Sequence, residues 1–369
     1  MNESTVRSQG QVTISKGVRC TYFHSRENFL NLYDEFCEVL NEARDVGGNT
    51  YLLLLATHIK DVEIASKSDP TLANYCQKMA ALIRQQNFAQ DGNLVSEFAQ
   101  LFGEAHFAYL CHERGVSLTQ IPVQKDKKTP DFLHSASPQN VYFEVKTLSV
   151  VSGGSGINGD LLNSLDAHID IEQQLLRKKS VAVGVAEAQP YGQKPYDEGS
   201  ITGVINVLIE KTRQNIKSAQ YASPNTFLVL NLCLLPPATT DNKTLRPAYC
   251  DDYLFPKAIT GDLWMLAFAK PGMLVHASPE CEGKPCIEST LQKVGILADT
   301  DYSNISGLLV VVYPLSGQTN IYGLYRSAEH DSWTDDSTNL AAIFNKLAGD
   351  NWNDETDSNG WQLDGVSSQ

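Results

Sequence analysis

Three residues stand out for the chemistry their types could do together: Asp131, which follows Pro130, and the pair Glu144 and Lys146 within the run Val141 to Leu148. Two carboxylates with an ammonium beside them suit a metal-dependent phosphodiesterase. There, acids hold a hard cation that offsets charge on the phosphorane-like transition state and lowers the pKa of an attacking water. The run VYFEVKTL has the composition of a buried strand. Period two puts Val141, Phe143, Val145 and Thr147 on one face and Tyr142, Glu144, Lys146 and Leu148 on the other. Burying either charge unpaired is costly, so charges on a strand this apolar call for a reason. The bland alternatives are an exposed Glu144–Lys146 cross-strand ion pair, worth under about 1 kcal/mol, and a plain Pro-Asp turn at Asp131.

The elements that must position these residues can be read from periodicity. Phe29, Leu32, Phe36, Val39, Leu40 and Ala43 recur at helical spacing from Ser25 to Gly47-Gly48. A second helix is expected over Thr50 to Ala65, and a third from the Asp69-Pro70 cap to about Ala89. Asp91-Gly92 breaks the chain, and Asn93 is expected to cap a helix that runs to Arg114 before Gly115. Its inward stripe is Leu94, Phe98, Leu101, Ala105 and Ala108, flanked by Glu97 and Glu104. Strands are expected at Ser117–Val123, Phe132–His134 and Val141–Leu148, followed by a glycine-rich loop and a helix over about Asp160 to Lys179. Val181–Ala186 reads as a strand, Ile201–Tyr221 as an amphipathic helix and Thr226–Leu235 as a buried strand. Residues 238–300 resist assignment, and Gly307–Tyr313 with Asn320–Tyr325 reads as a hairpin.

Pro130-Asp131 followed thirteen residues later by Glu144-Val145-Lys146 resembles the signature of the PD-(D/E)xK, or restriction-endonuclease-like, nuclease superfamily. Gly103-Glu104-Ala105, with Leu110 and Gly115 behind it, is similar to the first-helix pattern of that superfamily's resolvase-like branch. The resemblance runs from Asn93 to about Leu235 and leaves both ends unexplained. It implies an α/β fold whose core is a helix, a three-stranded sheet, a helix and a further strand. The expected organisation is a helical N-terminal region over 1–90, a nuclease-like domain over 91–326 with an insertion near 238–300, and an acidic tail over 327–369. It also implies Mg²⁺-dependent hydrolysis of DNA, with Mn²⁺ able to substitute, in restriction, repair or defence.

On that resemblance the catalytic residues are Glu104, Asp131, Glu144 and Lys146, and Asp131, Glu144 and the Val145 backbone carbonyl hold the metal. Mg²⁺ prefers oxygen ligands and keeps several waters, so two or three carboxylates suffice. Lys146 would hold or help deprotonate the water. Glu97 competes with Glu104 for the supporting role. Pro130 removes a ladder hydrogen bond where Asp131 must leave the pleat. Lys125, Lys127 and Lys128 before the second strand, and Lys178 and Lys179 after the next helix, are candidates for contacts to nucleic-acid phosphates. A homodimer or partner protein is left open.

Two other function classes compete. One is a catalytically inactive module that keeps the nuclease fold and binds nucleic acid or protein. The other is a nucleotide-dependent enzyme using Gly154-Ser155-Gly156-Ile157-Asn158-Gly159, a literal GxGxxG, with Glu187 ending the next strand. That acid falls later than the dinucleotide motif asks, and the preceding strand carries charges where that fold wants apolar residues.

Composition narrows the field further. The 369 residues include 42% hydrophobic ones, enough for a real core. No apolar run approaches a membrane span, and the polar start lacks a signal peptide's apolar region. Eight scattered cysteines fit a reducing cytoplasm rather than a disulfide scaffold. His276, Cys281 and Cys286 lack a CxxC knuckle and a fourth zinc ligand. Residues 327–369 carry nine acids against one base, which is −8 of the formal −14. Such a stretch is expected to be a solvated tail.

Overall fold

The computed structural model describes residues 32–45, 50–122, 128–135, 139–148, 166–167, 169–179, 181–184, 201–234, 248–252, 255–276, 287–313, 318–326 and 340–355. The chain divides into two units, residues 1–109 with 149–192 and residues 110–148 with 193–369.

The first unit is helical: α1 (Leu32–Asp45), α2 (Thr50–Ser66), α3 (Pro70–Ile83) and most of α4 (Gly92–Glu113). Asp69 caps α3 by accepting from Thr71 N and Leu72 N, with Pro70 at the first helical position. The cap of α4 is Asp91 rather than Asn93, since Asp91 Oδ1 accepts from Asn93 N at 2.8 Å and Leu94 N at 3.4 Å. Within this unit Glu63 of α2 receives Leu32 N and Tyr33 N, orphan donors of the first turn of α1, at 2.7 and 3.1 Å. Phe36 stacks on Phe98 with centroids 5.4 Å apart. A helical stretch over 169–176 (α5) follows the insertion. The expected strand from Val181 does not form over 181–184, where Gln174 takes both Val183 N and Val183 O with its side-chain amide.

The second unit is built on a seven-stranded mixed sheet, giving a mixed α/β class. Its strands are β1 (Thr119–Gln120), β2 (Phe132–His134), β3 (Val141–Thr147), β4 (Thr226–Asn231), β9 (Ile305–Val312), β10 (Asn320–Tyr325) and β11 (Trp352–Asp354), side by side in that order. β1, β2 and β3 form an antiparallel meander. α6 (Ile201–Asn215) and a 3-10 turn, Ser218–Tyr221, then carry the chain to β4, which pairs parallel to β3. β4 runs parallel to β9, and β9 and β10 form the antiparallel hairpin.

Residues 238–300, which resist assignment from sequence, hold ordered elements among their described residues. They include β5 (Ala248–Asp252), β6 (Phe255–Thr260), α7 (Asp262–Phe268), β7 (Leu274–His276) and β8 (Ile287–Thr290), with the four strands in one small sheet. The solvated-tail expectation fails over 340–354. α8 (Leu340–Ala348) buries Leu340, Ile343, Phe344 and Leu347, and β11 pairs parallel with β10. An aromatic column crosses the sheet's α8 side, running Phe143, Phe227, Phe344, Tyr325 and Trp352 with successive centroids 5.5 to 5.8 Å apart. Among the described residues no helix is long and apolar enough to cross a membrane.

Candidate active site

The site sits where β2 leaves the sheet beside β3. Pro130 has no N–H to give to the ladder, and pairing resumes at Asp131, whose N–H donates to Phe143 O at 3.0 Å and whose carbonyl accepts from Ile121 N at 2.8 Å. The next donor along β3, Val145 N, would face a gap. The Asp131 carboxylate fills it, with Oδ2 accepting from Val145 N at 2.8 Å. The Pro-Asp pair thus ends a ladder and turns a carboxylate toward the middle of β3. Burial raises the Asp131 carboxyl above its ordinary value, while the Val145 hydrogen bond and the Lys146 charge pull it back.

β3 alternates as its sequence expects. Val141, Phe143 and Val145 are buried, Phe143 joining the aromatic column, and Glu144 and Lys146 share the opposite face. Glu144 is 0% exposed. Its Oε1 receives Lys146 Nζ and also the Nε2 amide of Gln220, from the 3-10 turn before β4. A carboxylate can only accept here, so the amide must present nitrogen to it and keep its oxygen pointing away. Next to Gln220, Tyr221 is buried, and its hydroxyl lies in the field of both Glu144 and Asp131. Burial first, then those two charges, push the phenol far above its ordinary value, so it stays a neutral hydroxyl.

Asp131, Glu144, Val145 and Lys146 are therefore brought together on two adjacent strands. Of the other expected residues, Glu97, Glu104, Lys178 and Lys179 belong to the first unit, Lys128 belongs to the second, and the rest lie outside the described residues. Glu104 is half-buried in the first unit, where its Oε2 accepts from Tyr75 OH at 2.6 Å, and Glu97 is exposed on the same helix. Lys178 and Lys179 are exposed just beyond α5 in that same unit. Lys128 is exposed three residues before Asp131. Lys125, Lys127, the glycine loop 154–159, Glu187, Cys281 and Cys286 lie outside the described residues.

Sequence reasoning missed Gln220 and Tyr221. Ile201–Tyr221 reads as one continuous helix, but α6 stops at Asn215 and the chain re-forms as a 3-10 turn after Lys217. No spacing rule links Gln220 to an acid 76 residues away.

The donor set fits a hard divalent cation. Asp131 and Glu144 supply carboxylates, and among the described residues Tyr221 OH is a buried oxygen with no hydrogen-bond partner. Buried polar atoms are nearly always paired, so such a hydroxyl in the field of two acids suits a site completed by a cation or its waters. Among the described residues no three His, Cys, Asp or Glu side chains gather as a ligand cluster, so amide, hydroxyl and water oxygens would complete the shell.

No protein-family model, curated protein or solved structure matches the chain.

Proposed function

We propose that the chain is a metal-dependent nuclease with a restriction-endonuclease-like core that hydrolyses phosphodiester bonds in DNA. The observation that carries this reading is the convergence of Asp131, Glu144 and Lys146 at the junction of β2 and β3, completed by Gln220 and Tyr221. The order α4, β1–β3, α6, β4 within the mixed sheet supports the fold half of the reading.

In this reading Asp131 and Glu144 hold Mg²⁺ or Mn²⁺. The bound cation supplies charge neutralisation at phosphorus and a lowered pKa for water. Lys146, already on Glu144, holds the attacking water and offsets charge on the phosphate oxygens. Gln220 fixes the Glu144 carboxylate so that it does not swing to follow Lys146. Tyr221 offers a neutral hydroxyl to a water or a phosphate oxygen. The aromatic column behind Phe143 keeps β3 rigid, as a site on a strand needs.

The test is incubation of the full chain with plasmid, linear duplex, single-stranded DNA and RNA in Mg²⁺ or Mn²⁺, with an EDTA control. DNA cleavage that EDTA abolishes supports the reading. Failure to cut any of these, together with no cation binding by calorimetry, overturns it in favour of a non-catalytic module.

A further inference from the structure

α6 leads into the turn that carries Gln220 and Tyr221, and its last turn is fastened to a second segment. Arg213 donates through Nη2 to Asp299 Oδ2 at 2.6 Å and to Val294 O at 2.8 Å, and its guanidinium stands over the Tyr302 ring, 6.0 Å from the centroid. Asp299 also caps the 3-10 turn Thr300–Tyr302, its Oδ1 accepting from Asp301 N at 3.0 Å. Arg326, just past β10, donates to Leu297 O, Ile305 O and Tyr302 O at 2.8, 2.9 and 3.3 Å. Tyr302 is thereby held through its main chain, through its turn and by a cation on one ring face.

The two turns enter the sheet side by side. β4 and β9 are parallel neighbours whose first paired residues are Thr226 and Ile305, so the turn at 218–221 and the turn at 300–302 precede adjacent strands at one edge. β9 lies two strands from β3, about 10 Å at ordinary strand spacing. Tyr302 is half-buried, and among the described residues no second ring or cation stacks on it. An aromatic ring fixed in place, backed by a cation and still accessible is what a nucleobase stacks on. We propose that Tyr302, backed by Arg213, is a platform on which one unpaired base of a nucleic-acid strand stacks, next to the nucleotide whose phosphate lies at Asp131, Glu144 and Lys146. The platform rests on the nuclease reading for the identity of its strand. Every base has a π-face, so the platform selects an unpaired base and not a sequence.

The test is binding to the full chain in EDTA, where nothing is cut, of a labelled single-stranded DNA oligonucleotide and of an abasic strand of equal length, which keeps every phosphate and lacks every base. Tyr302→Leu should weaken binding of the intact strand by about 5-fold or more, the scale of one stacked base. Binding of the abasic strand should not change. Tyr302→Phe should keep both affinities. Tyr302→Trp adds a readout that retains a ring: relative to wild type, the added indole emission should fall when the intact strand binds and hold steady with the abasic one.

Equal affinity of wild type and Tyr302→Leu for the intact strand overturns the platform, as does a wild type that binds neither strand. An equal loss on both strands also overturns it, because the ring then acts on the fold and not on a base. Should Tyr302→Leu fail to melt cooperatively in a thermal scan, the Tyr302→Trp emission decides: a signal indifferent to the intact strand overturns the proposal. Wild-type plasmid cleavage in Mg²⁺ reports separately on the nuclease reading. A base-dependent loss beside a wild type that never cuts keeps the platform and sinks the enzyme, and cutting beside a base-independent Tyr302 does the reverse.

Discussion

Gln220 donates its side-chain amide to Glu144 Oε1, the same oxygen that receives Lys146 Nζ, and so ties the turn before β4 to the middle of β3. Glu144 is fully buried. A buried carboxylate held by one flexible lysine would be free to rotate with it. A second donor from a different element removes that freedom and helps offset the desolvation of the charge.

Gln220→Ala should therefore lower cleavage by about 10- to 100-fold, as loss of a partner that orients a metal ligand does, and cost about 1–3 kcal/mol of stability. Gln220→Glu should be worse on both counts, since it sets a second negative charge against Glu144. Single-turnover cleavage and urea unfolding measure the two effects. Full activity in Gln220→Ala would remove Gln220 from the site.

Tyr221→Phe separates function from folding. Among the described residues the hydroxyl is buried without a hydrogen-bond partner, so its removal should leave stability within about 1 kcal/mol or raise it. If the hydroxyl meets a water or phosphate oxygen during the reaction, cleavage should still fall. A variant that is stable and fully active would show that Tyr221 only fills space.

Much of the site was legible because its geometry is local. Period two and a proline are enough to place Glu144 and Lys146 on one strand face and Asp131 at the neighbouring strand's end. Gln220 was not legible, because its partner is set by how β4 docks in parallel on β3. Within 327–369, residues 340–354 were misread because the stretch's acids dominate the charge count. They hide a helical repeat at Leu340, Ile343, Phe344 and Leu347 that the sequence does contain. The strands of 248–290 run only three to six residues each, too few to set a period.

Asp131 gives a pH dependence with a definite sign. Its folded-state pKa is raised from 3.8, chiefly by burial. A raised carboxyl contributes stability below the unfolded value and loses it as pH rises through the folded one. Without a cation, wild type should lose stability relative to Asp131→Asn from mildly acidic pH to neutrality. Asn keeps an oxygen for Val145 N but has no charge to bury. Mg²⁺ should reverse the trend for wild type alone, with a melting-temperature increase that grows with pH. A cation effect of equal size in Asp131→Asn would contradict the assignment.

Residues 340–348 and 352–354 belong to the fold. A Cβ on Gly323 would stand 2.3 Å from Phe344 Cζ, backed by α8. Gly323→Ala should cost about 1–3 kcal/mol through overpacking. Deletion of 327–369 removes Phe344 and β11 from the sheet and should abolish cooperative unfolding of the second unit by circular dichroism. A deletion variant that melts like wild type would restore the solvated-tail view.

The most direct measurement is the rate of Mg²⁺-dependent plasmid cleavage by wild type, Lys146→Ala and Glu144→Ala, each confirmed folded. The expected result is cleavage by wild type and a loss of about 100-fold or more in both variants, the scale of removing a general base or a metal ligand. Variants that cut as fast as wild type would contradict the site, even if the chain proves to be a nuclease.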